Sequence, residues 1–267
     1  MKLQQKVCKN SISASGKHMN FLLLLLSTFG NYAPPVTIHV LVALCDNKYQ
    51  GIVPVPAKIG NGQDPANNLY WGCGYGVKTF LKKQPDWQLI KLIKQPAPYI
   101  HERLVFKHRT PGVYLVADAY DGARMKETIT SFLQYAAGRN RTPIPLDKDT
   151  LHAGGDARLI CFVGHNGLMD AALPAYPEKA DDRPRDVAIF ACASKSYFSE
   201  PIRRTGANPL IWTTHLMSPE AYTLDAMIDS WLLKEKPALT HEKVAQAYQQ
   251  YQHCGIKGAR RLFATGW

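Results

Sequence analysis

Leu159-Ile160-Cys161-Phe162-Val163 is apolar at every position and stops at Gly164-His165-Asn166-Gly167. A run apolar on both of its alternating faces and closed by turn residues predicts a strand covered on both sides, as in a parallel sheet. Working outward, the same pattern recurs. Val36 to Cys45 (VTIHVLVALC) ends in Asp46-Asn47, and Gly112 to Ala117 ends in Asp118-Ala119-Tyr120-Asp121-Gly122. Asp186 to Ala191 ends at Cys192, and Pro209 to Trp212 ends in Thr213-Thr214-His215. Between these strands, Met125, Ile129, Phe132, Leu133 and Ala136 recur at helical spacing, with Gly138 as a stop, and a polar loop is expected from there to Arg158. Ser218-Pro219-Glu220 predicts another helix start, with Ser218 as cap, and Leu224, Met227, Ile228 and Trp231 give that helix an apolar face. The chain from about His241 onward also reads as helical. Trp87 to Ile93 and Ile100 to Phe106 predict an edge hairpin around Pro96 and Pro98.

Strands alternating with helices predict an α/β fold, a three-layer α/β/α sandwich around a mostly parallel central sheet. In such sheets ligands bind beyond the carboxyl ends of the strands. The polar residues of this sequence gather there: Asp46, Asp118, His165, Asn166, Asp170, Cys192 and His215. Within that set His165 and Cys192 form a chemical pair, because an imidazole can take a thiol's proton and later return it to a leaving group. They end consecutive strands, with enough chain between them for one crossover. The expectation is a Cys192 nucleophile with His165 as general acid/base. The amides of Gly167 and Cys192 would hold the oxyanion of an acyl-transfer intermediate. Asp46 and Asp118 are read either as the floor of a pocket for a basic substrate side chain or as turn caps. His215 is read as a substrate contact or replacement base.

The composition is that of a globular chain, with 267 residues, 46% of them hydrophobic and 20% charged, which excludes disorder and collagen-like repeats. Lys+Arg 32 against Asp+Glu 21 makes the chain basic by +11, and Lys2, Lys6, Lys9 and Lys17 lie in an acid-free N-terminus. They precede the apolar run Phe21 to Leu26 and the small residues around Gly30 and Ala33, the layout of a secretory signal. Residues 1–33 are therefore expected to be an export signal or a disordered N-terminal segment, and 34–267 a single domain, secreted or periplasmic. No later segment is apolar enough to span a bilayer. The six cysteines stand far apart, with no Cys-x-x-Cys, so neither a zinc ribbon nor a disulfide framework is expected.

The strand-ending pair Gly164-His165-Asn166-Gly167 and Ala191-Cys192-Ala193-Ser194 resembles the caspase-like cysteine peptidases, a group that includes caspases, legumains, gingipains and separases. Ala-Cys-Ala-Ser is most similar to the legumain-type motif. The resemblance implies a caspase-like sandwich with the catalytic His and Cys at the ends of neighbouring parallel strands. It also implies an oxyanion-hole role for Gly167. Two positions depart from the family pattern: Asn166 stands between the histidine and its glycine, and Phe190 stands two before the cysteine, where the family often carries an acid or Gln.

Other chemistries lack their motifs. Gly72-Cys73-Gly74-Tyr75-Gly76-Val77-Lys78-Thr79 is not a phosphate loop, because Val77 interrupts the Gly-Lys-Thr contiguity, and its glycines are expected to serve packing or a turn. There is no Gly-x-Ser-x-Gly, and neither His101-Glu102 nor His241-Glu242 has a second histidine at metalloprotease spacing. The basic pairs Lys82-Lys83, Arg203-Arg204 and Arg260-Arg261 are scattered, without the aromatic-interleaved stripe of a nucleic-acid surface. The sequence thus predicts an exported thiol-dependent hydrolase of peptide or related amide bonds, with a peptide or protein substrate and no cofactor, metal or nucleic acid. The competing expectation is a non-catalytic protein of the same fold that binds a peptide or a cell-envelope component.

Overall fold

A computed structural model describes residues 35–147 and 149–267; the expected export signal lies outside the described residues. The centre is an eight-stranded mixed sheet in the order β10-β9-β8-β7-β1-β4-β3-β2. Its parallel middle consists of β1 (Val36–Ala43), β4 (Val113–Tyr120), β7 (Leu159–Val163), β8 (Asp186–Phe190) and β9 (Asn208–Thr213). The long hairpin β2 (Trp87–Ala97) and β3 (Ile100–His108) adds an antiparallel edge, as the sequence predicts, and the two-residue β10 (Phe263–Ala264) closes the other edge.

Among the described residues six helices cover the sheet, and the two-residue strand period decides which side chain meets which helix. On β1, Ile38, Val40 and Val42 join a core with α4 (Ala221–Leu232) and α5 (Pro237–Gln252). Leu41 and Ala43 turn the other way, towards α2 (Met125–Ala136) and α3 (Ser194–Thr205). The same split runs through β7, with Leu159, Cys161 and Val163 on the first side and Ile160 and Phe162 on the second. Both faces are dry, which is why these strands are apolar throughout. The short α1 (Val77–Leu81) and α6 (Ile256–Leu262) complete the first layer. Among the described residues no helix is long and apolar enough to cross a membrane.

Three local outcomes differ from the sequence expectation. The segment after α2 forms a separate hairpin, β5 (Arg141–Pro145) and β6 (Thr150–Gly154), whose Ile144, Leu151 and Ala153 pack on Val105 and Val116 of the main sheet. The helix expected from Ser218 begins at Ala221 instead, because Glu220 is extended (φ −105°, ψ 158°) and no side chain caps the helix. Pro219 disfavours helical backbone at Ser218, which precedes it. Strand β4 runs to Tyr120, three residues beyond its expected end, and so draws Asp118 inside the sheet. Two of the glycines before α1 serve close packing, as expected: a Cβ on Gly72 would lie 2.0 Å from the Ala66 carbonyl oxygen and one on Gly76 2.5 Å from the Trp71 backbone, whereas Gly74 faces open space.

Candidate active site

The register of β7 and β8 places His165 and Cys192. Val163 pairs with Phe190, so the two strands end level, and His165 and Cys192 each follow that pair by two residues. Gly164 N–H extends the ladder by donating to the Phe190 carbonyl (3.1 Å). Only glycine suits this position: its φ is +146°, and a Cβ would press on Ala43. Beyond it the chain turns, and Asn166 ties the two strand ends together. Its Nδ2 donates to the Cys192 carbonyl (2.7 Å) and its Oδ1 accepts from Leu168 N–H (3.2 Å). A position where the sequence departs from the caspase-like pattern thus spans the two chemical partners.

His165 and Cys192 line one cleft of about 350 Å³, whose walls include Val53, Leu69, Tyr70, Met169, Leu216 and Met217. His165 is buried, and its Nε2 lies 2.6 Å from Oδ2 of the half-exposed Asp170. A carboxylate only accepts, so this bond holds the imidazole proton on Nε2 and leaves the lone pair on Nδ1. Asp170 also accepts from Gly51 N–H (3.3 Å). The thiol is partly exposed. Met217 N–H donates to Cys192 Sγ (3.3 Å), the Met217 carbonyl lies 3.5 Å from it, and among the described residues no hydrogen bond joins Sγ to His165. Burial and the thiols of Cys45 and Cys192 push the Tyr70 phenol well above its usual range, so that wall of the cleft stays neutral.

The backbone after the thiol is held in an uncommon conformation. Ala193 is left-handed (φ +46°, ψ +34°) and donates its N–H to the His215 carbonyl (2.9 Å). The next residue anchors the turn. Ser194 Oγ donates to the Ile189 carbonyl (3.0 Å) and accepts from Thr213 N–H (2.9 Å), stitching β8 to β9 where α3 begins.

The other expected site residues are employed elsewhere. Asp46 caps a turn: its Oδ1 accepts from the Lys48 and Tyr49 amides (2.8 and 3.0 Å), and its Oδ2 accepts from the Gly62 amide and Gln63 Nε2 (both 3.1 Å). Asp118 is fully buried in β4 and paired at both oxygens with Arg103 (2.7 Å each). His39 Nε2 adds a bond to Asp118 (3.0 Å), its Nδ1 accepting from Gly154 N–H (2.9 Å). Neither carboxylate lines the cleft, so the expectation of a pocket for a basic side chain is not met by these residues. Gly167 spends its N–H on the His165 carbonyl (3.1 Å) and sits against Met125 of α2, where a Cβ would lie 2.1 Å from Met125 Cγ. It is therefore not placed to bind an oxyanion. His215 is exposed; it contributes its carbonyl, and its side chain does not line the cleft. Among the described residues the backbone N–H groups of Asn166 and Cys192 make no hydrogen bond.

Comparison with protein-family models, with curated proteins and with solved structures gives no match to this chain.

Proposed function

We propose that this protein is an exported thiol-dependent hydrolase of peptide or related amide bonds, with a caspase-like placement of its catalytic pair. The observation that carries this reading is the shared cleft. Cys192 and His165 stand two residues beyond one register pair of adjacent parallel strands, with Asp170 orienting the imidazole. In this reading Nδ1 of His165 takes the proton from Cys192 Sγ, and the thiolate attacks the carbonyl carbon of the bound amide. The resulting oxyanion is met by the unengaged amide of Cys192, which lines the cleft, in place of Gly167. The imidazolium then protonates the leaving amine, and water, deprotonated by the same nitrogen, hydrolyses the thioester.

A second reading is favoured by one observation: the thiol is held by the Met217 backbone instead of by His165, which suits a cleft that binds a peptide without cleaving it. Residue-resolved alkylation by iodoacetamide from about pH 5 to about pH 9 separates the two, since an unactivated thiol titrates near 8.5. Exposed Cys254 is the internal reference. The proposal expects Cys192 to label faster than Cys254 at the acid end and to lose that advantage in His165→Ala. Equal rates for the two thiols in the wild type would overturn it in favour of the binding protein.

A further inference from the structure

A second cavity, of about 620 Å³, opens at the opposite pole of the sheet, where Val36, Val113 and Asp186 begin β1, β4 and β8. Its wall brings together three groups from separate elements: Asp86 from the turn before β2, His108 at the end of β3, and Asp229 on α4. One ring nitrogen of His108 and one oxygen of each carboxylate all lie within 4.8 Å of one another.

His108 is 7% exposed, and its Nδ1 accepts from Thr110 N–H (3.0 Å). Its Nε2 is buried without a partner among the described residues, which is the nitrogen left for a ligand. A buried polar atom in that state is costly and calls for an explanation. The carboxylates are equally short of partners. Asp86 Oδ1 meets only Nε of the exposed Arg109 (2.9 Å), and the Asp229 side chain has no hydrogen bond or ion pair among the described residues, Lys243 and Arg109 acting on it only at longer range. Two acids and an imidazole converge here, and of the cations on the cavity wall (Arg109, Arg158 and Lys234) only Arg109 forms an ion pair with one of them among the described residues.

We propose that Asp86, His108 and Asp229 bind a divalent transition-metal cation of the Zn²⁺ kind, tying α4 to the antiparallel edge of the sheet. The donor set selects the class. Calcium and magnesium take oxygen ligands, whereas an imidazole nitrogen with two carboxylates suits zinc and its first-row neighbours. Bonds of about 2.0–2.1 Å in a tetrahedron set donors roughly 3.4 Å apart, so the three side chains would close by about an ångström. The remaining position faces the cavity. Coordination at Nε2 carries a proton consequence. In the neutral ring the Thr110 amide places the proton on Nε2, so binding moves it off that atom while Nδ1 gains one, and the Thr110 bond is given up.

The test is equilibrium dialysis of the full chain against Zn²⁺, with ¹⁵N NMR of the histidine rings. The expected result is one zinc per chain, bound at least about tenfold more weakly in Asp229→Asn and in His108→Gln. Zinc should also turn His108 Nδ1 from an unprotonated to a protonated nitrogen. Asp→Asn keeps the shape and removes repulsion between the acids, so Asp229→Asn should remain folded; circular dichroism checks this. Zinc held equally well by both variants, which would place it on the free thiols, overturns the proposal. So does a His108 ring that keeps its Nε2 proton at saturating zinc, or an absence of binding in the wild type.

Discussion

Replacing Asn166 by Ala tests whether the cleft depends on the tether between the two strand ends. Asn166 is fully buried and makes two bonds, one to the Cys192 carbonyl (2.7 Å) and one from Leu168 N–H (3.2 Å). Truncation leaves both main-chain groups without these partners, at about 1–3 kcal/mol each. Cys192 is partly exposed, so water can reach its carbonyl in the variant, and the lower half of that range applies to it. The expected loss is therefore about 2–5 kcal/mol, which raises the unfolded-to-folded ratio roughly 30- to 5,000-fold. Urea unfolding gives this number directly, as a lower midpoint at unchanged slope. The folded variant should also alkylate Cys192 more slowly relative to Cys254, because the strand ends are no longer fixed to each other. Asn166→Asp separates the two bonds, since it retains an acceptor for Leu168 N–H but sets an oxygen against the Cys192 carbonyl. A loss below about 0.5 kcal/mol with unchanged Cys192 reactivity would refute the tether argument.

Three further outcomes follow from particular side chains. Burial by itself would raise the Glu102 pKa, but the Lys78 and Lys94 ammonium groups and the Trp71 indole N–H outweigh it and hold the value at about 2. A depressed carboxylate stabilises the fold above its unfolded value of about 4.3 and loses that contribution as pH falls through about 2; acid unfolding of Glu102→Gln should therefore be flatter over that window than that of the wild type. Asp118→Asn unpairs a buried guanidinium and should cost about 3–5 kcal/mol in urea, with Asp46→Asn costing clearly less because its donors are turn amides and a side-chain amide. Ala193→Gly relieves left-handed strain of roughly 1–2 kcal/mol and returns part of it as unfolded-state entropy, so calorimetry should show a net gain of about 0.5–1 kcal/mol, whereas Ala193→Val should lower Tm.

The parallel core was legible because burial on both faces forces apolar residues at every strand position, as in Leu159 to Val163. What escaped has physical causes. Pro143 and Pro145 make β5 read as a loop, yet that strand pairs with β6 alone, so proline costs it fewer ladder bonds than it would in the main sheet. Asp118 was misplaced by strand length. With β4 ending at Ala117 it would have faced solvent at the rim, but three more ladder positions put it beneath the β5–β6 hairpin against His39 and Arg103. Asp170, the group that orients His165, was present among the polar strand-end residues, but nothing in its spacing marks it as a partner. The acid–imidazole cluster at the other pole is beyond sequence reading, since Asp86, His108 and Asp229 belong to three elements with no motif spacing.

The departures from the caspase-like pattern change meaning once the register is known. Strands that end level bring any residues two positions further on to the same rim, so proximity of His165 and Cys192 needs no family motif to explain it. A pattern with glycine straight after histidine frees the next amide for an oxyanion but provides no side chain to bind the neighbouring strand. Here Asn166 supplies that side chain and leaves its own N–H unengaged, while Gly167, displaced by one residue, folds back on the His165 carbonyl. Phe190, the second departure, is buried in the core between β8 and the α4–α5 layer, where an acid would carry an unpaired charge. Both substitutions are therefore consistent with a rim built for this sheet. The question left to chemistry is whether a bound substrate releases Cys192 Sγ from the Met217 amide to His165, and the alkylation series with Asn166→Ala and His165→Ala addresses that from both sides of the pair.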